Sequence, residues 1–241
     1  MEADKIINGN CWVAYFDILG FKSEIQLYTG HLDAFVKTQY EEILHCIEKD
    51  KKDVRDFVPQ EHNYCCFSDS FIFYMLDDSI NSYSTMCFVA TSFFQHLVMQ
   101  KWPVTGALAI GDFYADKAKN IYIGEALIDA HDYTEKQDWI GLVLTPNTRT
   151  KLEKGGHDLF SFADGLGFRE YNVPIKRRVF SNGKESIELG CEKLFAHYHK
   201  VEGCRRDLIG WMKSVCNNKE GQNTEYRRKY ENTLRFYEEI N

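Results

Sequence analysis

Two aspartates, each at the end of an apolar run, are the residues in this sequence best suited to do chemistry. Asp17 closes the run 12–17, whereas Asp69 lies in a Ser-Asp-Ser segment between the apolar runs 64–67 and 71–74. The second pattern predicts a β-hairpin with an acid at its tip. If the two strands are neighbours, the carboxylates converge, and such hard oxygen ligands suit one or two Mg²⁺ or Mn²⁺ ions that carry a triphosphate. Taken alone, Asp17 would be read as a helix N-cap or a turn residue.

The spacing of the apolar residues predicts an α+β fold that positions both acids. The first strand is followed by two helices, the hairpin, a third helix that ends before Pro103, and a strand over 104–113. This is the ferredoxin-like βααββαβ order of palm-like domains. The predicted helices cover 22–28, 31–50, 79–100, 124–136 and 146–152, and two further strands cover 120–123 and 140–144.

The C-terminal third of the sequence has a different pattern. A glycine- and aspartate-rich loop at 155–167 is followed by a strand around 169–173 and by basic residues at 176–178. The segments 185–216 and 220–240 are highly charged and have helical spacing, which predicts helices. We expect this strand and helical extension to pack on the same domain or on a partner subunit.

Two motifs resemble those of a known family. The segment Phe16-Asp17-Ile18-Leu19-Gly20-Phe21 is similar to the first metal motif of the class III nucleotidyl cyclases, shortened by one residue ahead of the acid. Phe67-Ser68-Asp69-Ser70 is similar to their second metal hairpin. Together with the segments 105–111 and 123–127, the sequence of this hairpin most resembles that of the pyrimidine cyclases of the bacterial anti-phage system Pycsar. The resemblance extends from Trp12 to about Pro146.

The resemblance implies a function. Residues 1–154 would form a nucleotidyl cyclase domain, and residues 155–241 an extension of it. The enzyme would convert UTP or CTP to the 3′,5′-cyclic monophosphate and pyrophosphate with two Mn²⁺ or Mg²⁺ ions, and we favour UTP. It would act as a head-to-tail homodimer with active sites at the subunit interface. The product would be a second messenger in anti-phage defence, detected by a cyclic-nucleotide-responsive effector.

The same resemblance assigns roles to individual residues. Asp17, Asp69 and the backbone carbonyl of Ile18 would hold the metal ions. The backbone amides of Leu19, Gly20 and Phe21, which open the following helix, would bind the triphosphate.

Base recognition falls on three other positions. Cys65 and Ile121 occupy the places where purine cyclases carry charged or polar base-reading residues, and neither can make such contacts. Tyr64 is our candidate for filling the room that a smaller base leaves. Strict alternation along the strand turns Tyr64 to the other face unless a bulge intervenes, so a core tyrosine is an equal alternative.

The sequence departs from the family pattern where the transition state is stabilised. Ile128 and Asp132 stand where cyclases of this class place an asparagine and an arginine, and Thr105 replaces an arginine of many pyrimidine cyclases. Another cation, from this chain or from a second one, must then meet the developing charge. The candidates are Lys136, Arg149, Lys176 and Arg177.

Composition excludes several classes of function. A net charge of -7 argues against a nucleic-acid surface. The eight cysteines form no C-x-x-C pair and have no partner histidines at zinc spacing, so neither a zinc site nor a disulfide framework is predicted. No signal-peptide pattern and no apolar span of membrane length occur, so we expect no membrane association and a cytoplasmic protein.

Two alternative functions remain open from the sequence. One is another two-metal nucleotidyl cyclase with a purine substrate. The other is a catalytically silent nucleotide-binding regulator that keeps the fold, which Ile128 and Asp132 would favour. Against the second alternative, both metal-binding acids are present.

Overall fold

Strands and helices alternate along the chain in the predicted order as far as residue 154. The structure, a computed structural model, describes residues 6–48, 62–155, 167–181, 183–198, 202–218 and 224–240. Its strands are β1 (Ile7–Ile18), β2 (Asn63–Phe67), β3 (Ser70–Tyr74), β4 (Val104–Asp116), β5 (Ile121–Ile123), β6 (Gly141–Leu144), β7 (Phe168–Ser181) and β8 (Lys184–His197). Its helices are α1 (Phe21–Leu27), α2 (Leu32–Phe35), α3 (Ile80–Met99), α4 (Glu125–Lys136), α5 (Pro146–Lys154), α6 (Glu202–Asn217) and α7 (Thr224–Glu239).

All eight strands form one mixed sheet. Its order is β2-β3-β1-β4-β6-β8-β7, with β5 paired to β4 off this path. Strand β1 lies between β3 and β4 and is antiparallel to both, whereas β4 and β6 are parallel. The β2-β3-β1-β4 arrangement is the ferredoxin-like core, so the predicted fold class is confirmed.

The two faces of β1 have different neighbours because side chains alternate along a strand. Trp12, Phe16 and Ile18 belong to the main core, where the ring of Phe16 lies 5.1 Å from that of Phe93 in α3. Val13, on the other face, packs in a second cluster with Ala126 of α4. Asp17, a residue of the candidate site, lies at the end of the same face as Val13.

The predicted helix at 31–50 is interrupted. Helix α2 passes into a π-helical turn at Val36–Tyr40, and helical structure resumes over 41–48. The last two predicted residues lie outside the described part of the chain. The prediction of helix type is confirmed, and the π-helical turn has no signal in the apolar spacing that we used.

The predicted helix at 185–216 is wrong over its first half. Residues Lys184–His197 form strand β8, which pairs with β7 along its full length and with β6 near its end. Charged residues alternate with Ile187 and Leu189, which is a strand pattern. The sequence Asn182-Gly183 before it is a strong hairpin signal, and Gly183 has a φ of 72°.

Helix α7 is attached to the sheet domain by polar contacts that reach into the interior. Arg228 pairs with Asp138, whose side chain is only 2% exposed. Asn232 donates to the Asp138 carbonyl (2.7 Å), and the backbone amide of Ile140 donates to Thr233 Oγ1 (2.8 Å). The extension thus packs on its own sheet, while the proposed boundary after residue 154 stays a prediction.

Two sequence expectations concern other parts of the chain. The loop predicted at 155–167 lies, apart from its end residues, outside the described residues. Among the described helices, none combines the length and the apolar character needed to cross a bilayer.

Candidate active site

The two predicted metal-binding acids lie at the same end of the sheet. Asp17 pairs with Ser70 across the β1–β3 ladder, and the backbone amide of Ile18 donates to the backbone carbonyl of Asp69 (3.0 Å). Asp69 occupies the two-residue turn between β2 and β3, which Ser68 enters with a φ of 58°. The tip of the hairpin is therefore held directly against the end of β1, as the sequence predicted if the strands were neighbours.

Negative charge accumulates around Asp17. Burial, followed by the carboxylates of Asp69 and Glu135, raises the pKa of Asp17 to about 6. Lys229 and His131 act in the opposite direction without cancelling this rise. Within the described residues, neither Asp17 nor Asp69 forms an ion pair, so two neighbouring acids lie at this sheet end without a bonded protein cation.

This donor set fits a hard divalent cation. The described residues contain no group of three or more His, Cys, Asp or Glu side chains that could hold a metal ion. Asp17, Asp69 and a backbone carbonyl at Ile18 would therefore supply only part of a coordination sphere. Mg²⁺ and Mn²⁺ commonly complete such a sphere with substrate phosphates and water.

The three amides predicted to bind triphosphate are not equivalent. The amide of Leu19 donates to the carbonyl of Pro103 (2.8 Å) and is already satisfied. The prediction therefore remains for Gly20 and Phe21. Gly20 has a φ of 76°, and a Cβ atom there would lie 2.9 Å from the hydroxyl of Tyr226. The turn thus requires glycine both for its backbone conformation and for the close approach of α7.

The predicted base-reading residues on β2 differ in the direction of their side chains. The β2–β3 ladder is regular, without a bulge, so Tyr64 and Cys65 point to opposite faces. Tyr64 packs against Phe73 and its hydroxyl donates to Glu48 (2.9 Å). Cys65 hydrogen-bonds with Tyr122, a residue that our sequence reasoning missed.

A cavity of about 420 Å³ runs along the β2 edge. Tyr64, Cys65 and Tyr122 line it, and Ile121 does not. Burial raises the pKa of Cys65 to about 12, so its thiol is neutral at physiological pH. Of the predicted base readers, the structure brings Tyr64 and Cys65 into one cavity, and it adds Tyr122.

A larger cavity of about 820 Å³ lies between α4 and the β7–β8 hairpin. His131 and Glu135, two of its lining residues, are close enough to Asp17 to affect its pKa. Asp132 also faces this cavity, while Ile128 is 61% exposed on the same helix. The cavity is therefore adjacent to the acid pair.

The predicted cations are unequally placed around this larger cavity. Lys136, Lys176 and Arg177 line it, and Arg178 joins them. Arg149 does not, because it lies on α5 and pairs with glutamates there and on β7. Long basic side chains in the second half of β7 thus supply positive charge to this cavity.

Other features of the site come from distant parts of the chain. Tyr226 of α7 donates to the carbonyl of Leu19 (3.4 Å), and buried Lys229 lies one turn further along the same helix. The helical pattern at 220–240 predicted α7 itself, but not what it contacts. No pattern in the sequence indicates that residue 226 contacts residue 19, because the two are 207 positions apart.

Comparisons with known proteins bear on the fold. No family profile matches the chain, and no curated protein matches it. Among solved structures, the catalytic core of a rhodopsin-guanylyl cyclase with converted specificity, in complex with ATPalphaS, is similar with a TM-score of 0.50 and 10% identity. The match covers 80% of this chain and 96% of that one.

A second similar structure is the adenylate/guanylate cyclase/hydrolase from Silicibacter pomeroyi. It matches with a TM-score of 0.45 and 9% identity, over 81% of this chain and 100% of that one. Such low identities concern the fold alone, and the first match carries that conclusion. The chain has the α+β fold of class III nucleotidyl cyclase catalytic cores.

Proposed function

We propose that the protein is a nucleotidyl cyclase that converts a pyrimidine nucleoside triphosphate, UTP or CTP, to its 3′,5′-cyclic monophosphate and pyrophosphate. The observation that carries the proposal is the hydrogen bond from the Ile18 amide to the Asp69 carbonyl, which holds the two acids together at one sheet end. A structural role explains two unpaired, neighbouring carboxylates poorly, because their repulsion costs stability.

Different residues of the chain would have different roles in the reaction. Asp17 and Asp69 would bind a pair of divalent cations, which lower the pKa of the ribose 3′-hydroxyl and neutralise the triphosphate. Gly20 and Phe21 offer backbone amides at the turn beside them. The 3′-hydroxyl would lose its proton to water, its oxygen would form a bond to the α-phosphorus, and the bond from that phosphorus to the pyrophosphate oxygen would break. The basic residues of the larger cavity, Lys176 and Arg177 among them, meet the negative charge of the polyphosphate.

The substrate preference rests on neutral side chains along the β2 edge. Cys65, which the family resemblance puts at a base-reading position, hydrogen-bonds with Tyr122. A neutral thiol and a phenol offer single hydrogen bonds and not the charged contacts that select a purine. This supports a pyrimidine, and we keep UTP as the favoured substrate.

Exposed apolar side chains support the proposed homodimer. Phe180, Ile187 and Leu189 on the β7–β8 hairpin are between 56% and 74% exposed, and Ile128 on α4 is 61% exposed. Apolar groups of this size on one side of a molecule favour a protein partner. The role in anti-phage signalling and the downstream effector follow from the family resemblance.

The test is an incubation of the purified protein with Mn²⁺ and each ribonucleoside triphosphate in turn, with products resolved by mass. Cyclic UMP or cyclic CMP as the main product supports the proposal and identifies the base. Cyclic AMP or cyclic GMP as the main product would show a purine cyclase. Nucleotide binding without product would instead favour the silent regulator, which the exposed Ile128 and Asp132 on α4 suggest.

A further inference from the structure

The C-terminal helix α7 brings a buried lysine to the candidate site. Lys229 is 8% exposed, and among the described residues its ammonium has one hydrogen bond, a long one of 3.4 Å to the carbonyl of Gln137. An ammonium group has three donors. Burying an ammonium group with two of its donors unused costs free energy, so the burial of Lys229 needs a functional explanation.

The surroundings of Lys229 connect it to the acid pair and to the larger cavity. The carboxylates of Glu135 and Asp17 lie within electrostatic range of Lys229, and so does the ammonium of Lys176. Glu135 and Lys176 line the cavity. Burial and Lys176 lower the pKa of Lys229 to about 8, so the ammonium form still predominates at neutral pH.

Asp138, a carboxylate that acts on Lys229 electrostatically, has other bonded partners. Asp138 already binds Arg228 through both of its oxygens and accepts a further bond from Asn232. Lys229 therefore lies among charged groups without a bonded anion. An anionic ligand placed beside Asp17 would supply that anion.

We propose that Lys229, which lies within electrostatic range of the lining residues Glu135 and Lys176, takes part in binding the polyphosphate of the substrate beside the cavity between α4 and the β7–β8 hairpin. This rests on the proposed function. It names a cation for the negative charge of the phosphates, which Ile128 and Asp132 cannot neutralise. The same face of α7 also contacts the catalytic turn, because Tyr226 donates to the Leu19 carbonyl. Helix α7 is then part of the active site.

The experiment measures the affinity of the full chain for inorganic triphosphate with Mn²⁺, together with thermal stability. Lys229→Met removes the charge and keeps the length of the side chain. We expect about 10- to 30-fold weaker binding, the size of effect seen for a charge-assisted hydrogen bond. Because a costly buried charge disappears, the melting temperature should stay the same or rise.

Two further variants make the result interpretable. Lys213→Met, the same change at a side chain that is 56% exposed on α6, should bind as the wild type does. Lys229→Arg, which keeps the charge, should retain more affinity than Lys229→Met. If Lys229→Met does not fold, Lys229→Gln takes its place in the comparison.

The outcomes separate this inference from the proposed function. Wild-type affinity in a folded Lys229→Met or Lys229→Gln protein would overturn the inference alone. A wild type that binds triphosphate through Lys229 but forms no cyclic nucleotide would overturn the cyclase proposal and leave the inference standing. A wild type that binds no triphosphate at all would overturn both.

Discussion

Strand β1 and helix α7 reach the candidate site from opposite ends of the chain and bring opposite charges. Strand β1 carries Asp17 and is hydrogen-bonded on both sides, to β3 and to β4. Helix α7 carries Lys229, packs Tyr230 and Phe236 in the main core, and makes polar contacts with Gln137 and Asp138. The acids therefore lie at the end of a strand that is paired on both sides, and the lysine on a terminal helix that packs against the sheet.

This difference separates two kinds of function. Residues fixed by a central strand suit metal ligation, because a ligand set tolerates little displacement. Arg177 and Arg178 of the β7–β8 hairpin are exposed and Lys229 lies on a terminal helix, so none of the three is fixed by the central strands. The central acids should then decide whether the reaction occurs, and the peripheral cations how tightly the polyphosphate binds.

The largest expected effect comes from removing the acids. Asp17→Asn or Asp69→Asn should lower turnover at least about 1,000-fold, because each removes a charged metal ligand and leaves the shape unchanged. Folding should be retained, since the repulsion between the carboxylates also disappears. Product formation with Mn²⁺ and the melting temperature measure the two effects.

Asp112→Asn is the matched control for the acid variants. Asp112 is an exposed acid on β4, away from the sheet end that carries the site. Its loss should leave turnover unchanged. More than a tenth of wild-type activity in either Asp17→Asn or Asp69→Asn would contradict the metal assignment.

An intermediate effect is expected from pH. The pKa of Asp17, about 6 in the folded protein, is raised above the ordinary value of 3.8. The folded state therefore holds a proton that the unfolded state loses, and metal-free stability should fall as pH rises from about 4 to about 6. Allowing for partial exposure, the loss is about 2 kcal/mol. Denaturant unfolding without metal, compared between wild type and Asp17→Asn, measures it.

Mn²⁺ sharpens this test, since metal binds the ionised carboxylate. Stabilisation by Mn²⁺ should grow between pH 5 and pH 7 in the wild type and be absent in Asp17→Asn. If the two proteins show parallel curves with and without metal, Asp17 neither titrates in this range nor binds the ion.

The acid half of the site could be predicted from sequence because its signals are local. An apolar run that ends in an acid, and a Ser-Asp-Ser turn between two apolar runs, need only the periodicity of strands and turns. The one long-range assumption was that the two strands are neighbours, and the β1–β3 ladder confirms it.

The cationic half could not be predicted to the same depth because its contacts are not local. Lys229 and Gln137 are separated by 92 positions, and Tyr226 and Leu19 by 207. Strand β8 was taken for a helix because its charged residues gave apparent helical spacing, although Ile187 and Leu189 alternate with charged residues. These two apolar side chains are exposed, and the strand is buried only at its end, from residue 194 to 197, so its first part has no buried face for periodicity to detect.

The smallest expected effect tests the one direct contact between the two regions. Tyr226→Phe removes the hydroxyl that donates to the Leu19 carbonyl over a long 3.4 Å. Affinity for Mn²⁺ and triphosphate should weaken about 2- to 5-fold, as for the loss of one modest hydrogen bond. Tyr237→Phe, the same change at a buried residue of α7, is the control for helix packing and should bind normally. If Tyr226→Phe and Tyr237→Phe have the same affinity for Mn²⁺ and triphosphate, the hydroxyl of Tyr226 contributes nothing to binding. The comparison between β1 and α7 then rests on Lys229 alone.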